Sequence, residues 1–174
     1  MNIKSLLAAT FAVASMSMLS MAQTRTIEHE YSEFDAISVS DGFKVSFVES
    51  DGYSAKFKVN DAFESYVQCY VKAGTLYIGV DDKSIPKEVK KSFKGKNSDD
   101  PVLEATVYVP SLKAVTLSDN CTFSCDKDIN APKFTLELSG TSSVSNLNIH
   151  VAESAVITVS KKAKLSSVNV KAED

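Results

Sequence analysis

The sequence predicts an all-β fold, a right-handed single-stranded β-helix-like solenoid with antiparallel strands in its N-terminal half. One observation behind this prediction is a seven-residue pattern that begins and ends with serine and recurs at residues 118–124, 139–145 and 160–166, 21 residues apart. Another is that an alternating apolar pair precedes each copy. These pairs are Val115/Leu117, Leu136/Leu138 and Ile157/Val159. A strand pattern that returns at a fixed interval is typical of coils that stack and bury one apolar face against the next.

The alternation within each copy predicts which way the side chains face. Because successive residues of a strand point to opposite sides, the six apolar residues should lie in the interior, aligned from coil to coil. The residues that alternate with them should point outward and form a face rich in hydroxyl groups. This face comprises Thr116, Ser118, Thr135, Glu137, Ser139, Thr158 and Ser160. Such a face can bind a glycan or a protein edge, but serine and threonine are also what any solvated β-surface displays.

A fourth copy of the pattern lies far upstream and marks where the plain coils stop. Residues 40–46 follow Ile37 and Val39 and begin 78 residues before the copy at residue 118, which is not a multiple of 21. Another kind of structure must therefore fill the interval. We expect antiparallel strands there, with a hairpin turn at Ala73-Gly74. The strand-like runs are residues 53–59, 66–71, 76–80 and 103–109.

Residues 81–101 are the one segment of the domain without strand character. Ile85, Val89 and Phe93 fall at helical spacing, which predicts a short helix with one apolar stripe. The segment is rich in lysine, and a site for an acidic glycan or lipid headgroup is one interpretation. Its candidate binding residues are Lys87, Lys90, Lys91 and Lys94. The alternative is a solvated segment whose apolar stripe packs against the fold, which is the usual role of a run of charges.

The N-terminus predicts export. Lys4 precedes the apolar stretch of residues 6–19, and Ser20-Met21-Ala22 offers small residues for a signal peptidase. Residues 1–22 are therefore predicted to be a signal peptide. Its apolar run is short for a membrane span, so we expect no membrane span after cleavage. Residues 23–33 then form a lead-in, and residues 34–174 form the solenoid domain.

The net charge bears on the kind of partner, and the cysteine content bears on whether disulfides form. A formal net charge of −3 with mixed signs does not favour a nucleic-acid partner. Three cysteines are an odd count for an exported chain. A straight strand would hold Cys121 and Cys125 too far apart for a disulfide, although a turn between them could close the gap. The favoured interpretation is that these two and Cys69 are small apolar residues of the interior.

An enzyme requires a site, and the sequence offers none. Polysaccharide lyases of solenoid shape use a basic residue with clustered carboxylates that hold Ca²⁺. The one arginine of the chain is Arg25, close to the predicted mature N-terminus. The repeat positions equivalent to Asp119 are Gly140 and Lys161, so no ladder of carboxylates accumulates.

The remaining acidic and imidazole side chains also lack a recognisable arrangement. Asp126 and Asp128 could form a small acidic site with Asp119, and a solvated turn is the alternative. Neither His29 nor His150 has a nucleophile and an orienting acid at known spacing. We therefore expect no catalytic residue, no metal and no cofactor.

The chain resembles the bacterial family of auto-transporter adhesin head GIN domains. The similar stretches are residues 34–46, 71–78, 107–118 and 138–144. The resemblance implies a right-handed β-helix-like fold in exported bacterial proteins, with adhesion as the inferred role and no catalytic residues. Similar proteins continue for further coils rich in Gly-Ser-Gly. We therefore expect either a member shortened at its C-terminus or one that self-associates through the coil of Val168 and Val170.

The sequence thus predicts a non-catalytic adhesin-like or ligand-binding domain in the periplasm or at the cell surface of a bacterium. Its expected partner is a surface glycan or a protein. Two other functions compete with this one, a carbohydrate-active β-helix enzyme or its remnant and a structural protein of the envelope. A cleft with convergent carboxylates would favour the enzyme, whereas a flat or grooved binding face would favour the adhesin.

Overall fold

The computed structural model describes residues 23–93 and 100–172, so the predicted signal peptide and Lys94 lie outside the described residues. Within them, twelve strands account for most of the fold, with one short helix, α1 (Lys87–Ser92), and a 3-10 turn, Glu64–Tyr66. The strands are β1 (Thr24–Glu30), β2 (Ala36–Val39), β3 (Lys44–Glu49), β4 (Ser54–Asn60), β5 (Val67–Lys72), β6 (Thr75–Val80), β7 (Leu103–Val109), β8 (Ala114–Leu117), β9 (Thr122–Cys125), β10 (Ile129–Leu138), β11 (Ser143–Val159) and β12 (Lys164–Ala172). The all-β prediction is confirmed.

The strands form one curled, mixed sheet in the order β1-β4-β7-β3-β9-β11-β10-β8-β2-β6-β5, and β12 also pairs with β11. Antiparallel pairs join β1 to β4, β4 to β7 and β5 to β6. The antiparallel strands predicted between the fourth copy of the repeat and the regular coils are present as β4, β5, β6 and β7, although the sheet as a whole is mixed. The strands of the fourth copy, β2 and β3, pair in parallel with β6, β7, β8 and β9. The right-handed single-stranded β-helix stays a prediction.

The parallel strands align at the interval seen in the sequence. Leu136 lies opposite both Val115 and Ile157, and Leu138 lies opposite Leu117 and Val159. Both halves of the curled sheet contribute their inward residues to one apolar core. The strand alternation explains this arrangement, because it places every second side chain on the inner side of the sheet.

The serines of the repeat stabilise the corner between successive coils. The hydroxyl of Ser118 donates to the carbonyl of Val39 at 3.3 Å, and that of Ser139 donates to the carbonyl of Leu117 at 3.2 Å. The backbone N–H groups of both serines donate to the same two carbonyls at 2.9 Å. A small hydroxyl therefore recurs at this corner because it satisfies a backbone carbonyl of the neighbouring coil.

The last coil departs from the predicted interior. Leu117 and Leu138 are 0% and 2% exposed, but Val159 in the same row is 40% exposed, and Ile157 is half-buried. Among the described strands, the second part of β11 pairs with β10 on one side only, so its inward residues lack a second covering layer. The expectation that all six apolar residues lie inside is therefore wrong for Val159, whereas Ile157 still packs against the core.

The three cysteines do not form disulfides. Cys121 is buried, whereas Cys69 and Cys125 are partly buried, and all three are free thiols. The turn that could have brought Cys125 to Cys121 does not form, because residues 122–125 are extended as β9. At about 3.3 Å per residue, an extended run of four residues separates its ends by about 13 Å, well beyond the reach of a disulfide.

Candidate functional site

Two tyrosines of the β5–β6 hairpin, Tyr70, which is exposed, and Tyr77, which is half-buried, form an aromatic pair at the surface. Ala73 and Gly74 have φ values of 50° and 75°, the left-handed conformation that a tight hairpin turn requires. This turn places Tyr70 directly opposite Tyr77 across the two strands. Their rings lie 5.2 Å apart between centroids and 15° from parallel, and Tyr70 is 49% exposed. Both rings point outward because the alternating residues Leu76 and Ile78 are buried in the core.

A small depression lies beside this pair, at Gly79. Its volume is about 110 Å³, and its floor is the backbone of β6. We name the surface around it the tyrosine patch, formed by Ser38, Ser40, Asp41, Gln68, Tyr70 and Tyr77. Ser38 lies opposite Tyr77 on the next strand, and Gln68 lies opposite Gly79. The depression therefore lies between two rows of outward side chains, beside the backbone of Gly79.

Gly79 leaves room for the side chains of the segment after β2, which lie close to it. A Cβ atom at this position would be 2.5 Å from the Ser40 hydroxyl oxygen and 2.8 Å from Oδ2 of Asp41. Asp41 has a φ of 62°, and its Oδ2 accepts hydrogen bonds from the Ser40 hydroxyl at 2.6 Å and the Val80 N–H at 3.0 Å. The carboxylate is thus held in place at the rim of the depression.

The patch continues into the hydroxyl-rich face that the sequence predicts. Ser38 lies opposite Thr116, which in turn lies opposite Glu137, and Glu137 lies opposite Thr158. Thr116 is half-buried, and the two residues beyond it are exposed, as expected for outward positions. One row of polar side chains therefore runs from the aromatic pair across the coils, with a step of about 4.8 Å per strand.

The lysine segment has the packing of a solvated helix. Val89 and Phe93 pack against the core, Ile85 is 5% exposed, and the Phe93 ring lies 5.0 Å from that of Phe63. The predicted short helix with an apolar stripe is confirmed as α1. Of the candidate binding residues, Lys87 and Lys91 are exposed on this helix, and Lys90 forms an ion pair with Asp82 at 2.8 Å. Such exposed pairs contribute little to stability.

Asp119 and Asp128 lie at different places, so the acidic site that Asp126 and Asp128 could have formed with Asp119 does not assemble. Asp128 accepts a hydrogen bond from Asn148 at 3.0 Å and lies 2.9 Å from Nε2 of His150, whereas Asp119 lies beside Asp41 in a different depression. The hydrogen bonds from Asn148 and His150 hold the pKa of Asp128 below its usual value. Among the described residues, no group of three or more His, Cys, Asp or Glu side chains is placed to hold a metal ion.

Tyr31 and Cys69 lie together in a second, larger groove. It has a volume of about 260 Å³ and lies between β1 and β5, with Phe57 and Val67 among its apolar residues. Burial raises the pKa of the Cys69 thiol to about 11, so this cysteine is held as a neutral thiol at physiological pH. Cys69 therefore does not supply a thiolate nucleophile to the groove.

Comparison with known proteins identifies the family. The model of the family described as "Putative auto-transporter adhesin, head GIN domain" matches residues 33–173. The chain belongs to this family. The resemblance inferred from the sequence is confirmed by this match. No functionally curated protein matches the chain.

Solved structures show the same fold at low sequence identity. A putative adhesin from Parabacteroides merdae ATCC 43184 matches with a TM-score of 0.55 and 15% identity over 78% of this chain and 56% of that one. A putative adhesin from Bacteroides fragilis NCTC 9343 matches with a TM-score of 0.58 and 13% identity, over 87% of this chain and 77% of that one. A putative lipid binding protein from Parabacteroides distasonis ATCC 8503 matches with a TM-score of 0.52 and 18% identity, over 87% of this chain and 63% of that one. The chain thus spans just over half of the first of these relatives.

The aromatic pair was not among the residues that the sequence singled out. The available signal was symmetry, because Tyr70 and Tyr77 lie equally far from the Ala73-Gly74 turn and must therefore face each other. The depression gave no such signal, since Ser40 and Gly79 are distant in sequence.

Within the described residues, no helix has the length and apolar character of a transmembrane span.

Proposed function

We propose that this protein is a non-catalytic, exported, adhesin-like domain that binds a partner at the bacterial envelope or surface through the tyrosine patch. The observation that carries this proposal is the stacking of the exposed Tyr70 on the half-buried Tyr77 beside a polar depression. Tyrosines are enriched at recognition sites because they offer a large rigid surface with a polar tip. Residues 1–22 act as the signal peptide in this proposal, and residues 34–174 form the binding domain as a β-helix-like solenoid.

Family membership supports the same class of function. The matching family model and two of the similar structures carry the word adhesin in their descriptions. The competing functions have weaker support. An enzyme of the polysaccharide lyase kind needs clustered carboxylates that hold Ca²⁺; Asp41, Asp100 and Asp119 line one depression with Lys44, but among the described residues no such group is placed to hold a metal ion. A purely structural envelope protein would not need a stacked tyrosine pair at its surface.

The proposal predicts that binding depends on the tyrosines and not on the lysines of α1. The purified protein is applied to immobilised surface glycans and extracellular-matrix proteins, and the Kd of each captured partner is measured for variants. We expect the Tyr70→Ser/Tyr77→Ser variant to bind at least about tenfold more weakly, a loss of about 1.4 kcal/mol. The double substitution Lys90→Ala/Lys91→Ala should leave the Kd unchanged.

Tyr108 supplies the matched control for this experiment. It is a half-buried tyrosine on β7, in the other half of the sheet, so Tyr108→Ser removes the same ring without touching the patch. Loss of binding in the lysine variant, with full binding in the tyrosine variant, would overturn the proposal. It would assign the site instead to Lys87, Lys90, Lys91 and Lys94. Binding there should also weaken steeply with salt, since the contacts would be exposed charges.

A second copy of the chain is the proposed partner of the apolar edge at β12. Three residues of the last coil are large, apolar and exposed, although their counterparts 21 residues earlier, Leu138, Val144 and Ile149, are buried. The exposed residues are Val159 (40%), Leu165 (36%) and Val170 (43%). A strand edge with apolar neighbours is a template for pairing with another strand. An isologous dimer would cover both edges at once.

Light scattering tests this self-association. We expect the parent protein to show a dimer mass that falls to the monomer mass in Val170→Lys, because the charge would be buried in the interface. The control is Val48→Lys on β3, since Val48 is 40% exposed but two strands, β9 and β11, separate β3 from β12. A parent that is monomeric at high concentration would refute self-association.

A further inference from the structure

We infer that the tyrosine patch binds a neutral saccharide, with one pyranose ring packed on an aromatic face and a substituent of that ring in the depression at Gly79. This inference rests on the proposed function and names the class of its partner. The groups that carry it are the rings of Tyr70 and Tyr77, the amide of Gln68, the hydroxyl of Ser38 and the carboxylate of Asp41.

The geometry of the rings supplies the apolar contact. In a stacked pair, each ring covers one face of the other and leaves its second face available. The second face of Tyr70 is turned toward the sheet edge, because β5 is the last strand in the sheet order. That of Tyr77 is turned toward Ser38, a small residue. The electron-rich face of a phenol ring attracts the C–H groups that a pyranose displays on its flat sides.

The side chains around the depression match the hydroxyl groups of a sugar. Each sugar hydroxyl both donates and accepts, so it is best bound by a mixture of donors and acceptors. The amide of Gln68 offers both, the Ser38 hydroxyl offers both, and the Asp41 carboxylate accepts. Because Asp41 is fixed by the Ser40 hydroxyl and the Val80 N–H, its position is set before a ligand arrives. Such preorganisation lowers the entropic cost of binding.

The charge of the side chains that line the depression favours a neutral sugar over an acidic one. Among the described residues that line the depression, Asp41 contributes a carboxylate, and there is no lysine, arginine or histidine. The polar row that continues from the patch adds a second carboxylate at Glu137. A uronic acid or a sulfated sugar would meet like charge without a compensating cation from this lining, which disfavours its binding.

Size defines which part of the sugar enters the depression. The depression, of about 110 Å³, has room for a hydroxymethyl group or a few water molecules. The inference places the ring itself outside, on the aromatic surface. A longer chain can continue over Ser38 and Thr116, which follow Tyr77 in the same row.

The test is a fluorescence titration with defined probes. The chain contains six tyrosines and no tryptophan, so its emission reports directly on tyrosine. Oligosaccharides of neutral β-glucan and α-mannan are compared with polygalacturonate and heparin. We expect at least one neutral probe to change the emission saturably and the acidic probes to have no effect. Tyr70→Ala and Gln68→Ala should each weaken the neutral probe's binding at least about fivefold.

Tyr70→Phe separates ring packing from a merely structural role. It keeps the aromatic face and removes the hydroxyl, so its Kd should stay within about twofold of the parent value. Binding of acidic probes alone, or no saccharide binding while a protein partner still depends on Tyr70 and Tyr77, would overturn the inference and leave the proposed function standing. Full binding of every captured partner by the Tyr70→Ser/Tyr77→Ser variant would overturn both.

Discussion

Truncation of Leu138 to alanine should lower the free energy of unfolding by about 2–5 kcal/mol, which is the range for a leucine removed from a packed core. Leu138 is 2% exposed and lies between Leu117 and Val159 in the parallel register. A cavity at this position therefore removes contacts with the coils on both sides. Urea denaturation of the parent and the variant measures the difference.

Leu165 provides the matched control, because it allows the same substitution at the end of the stack. It lies opposite Val144 in the same kind of parallel pair but is 36% exposed. We expect Leu165→Ala to cost about 1 kcal/mol or less, since much of the side chain is already in water. An equal loss at the two positions would contradict the assignment of Leu138 to the core and of Leu165 to the edge.

Replacement of Gly140 by alanine should also be strongly destabilising, by about 2–5 kcal/mol. Gly140 has a φ of +62°, in the left-handed region that costs an L-residue about 1–2 kcal/mol. A Cβ atom there would in addition lie 2.7–2.8 Å from backbone atoms of Asp119, and such overpacking costs about 1–3 kcal/mol. The close approach is held by the Thr141 N–H, which donates to the Asp119 carbonyl at 2.6 Å.

The substitution Gly42→Ala separates the cost of backbone strain from the cost of overpacking. It has a φ of +80°, but no neighbouring atom lies within 4 Å of the position that a Cβ atom would take. Gly42→Ala should therefore show only the backbone strain, about 1–2 kcal/mol. If Gly140→Ala lost no more stability than Gly42→Ala in thermal denaturation, the coils would not approach as closely at this corner as the structure indicates.

The repeating parts of the fold and its local elements could be predicted from the sequence, whereas the pairing of strands distant in the chain could not. The interval of 21 residues predicted the alignment of Val115, Leu136 and Ile157, because parallel coils place equivalent residues opposite each other. The hairpin was predictable from its Ala73-Gly74 turn. The parallel pairing of β2 with β6 was missed, since no local pattern specifies which distant strands become neighbours.

The candidate site was also predictable only in those parts that depend on local sequence. The hydroxyl-rich face around Thr116 and Glu137 follows from strand alternation alone. The depression at Gly79 depends on Ser40 and Asp41, which approach it only because β2 pairs with β6. The lysines of the segment after β6 drew attention because they are numerous, yet charge density by itself does not indicate recognition. A site assembled from two strands and a turn becomes visible only when the sheet order is known.

Chemical-shift mapping by NMR tests directly whether a neutral saccharide binds at the tyrosine patch. The isotope-labelled protein is titrated with the neutral β-glucan and α-mannan oligosaccharides, and shift changes are assigned to residues. We expect the largest changes at the rings of Tyr70 and Tyr77 and at the Gln68 amide, with none at Lys87, Lys90 or Lys91. Largest changes on α1 or in the groove at Cys69, with an unperturbed tyrosine patch, would contradict this expectation.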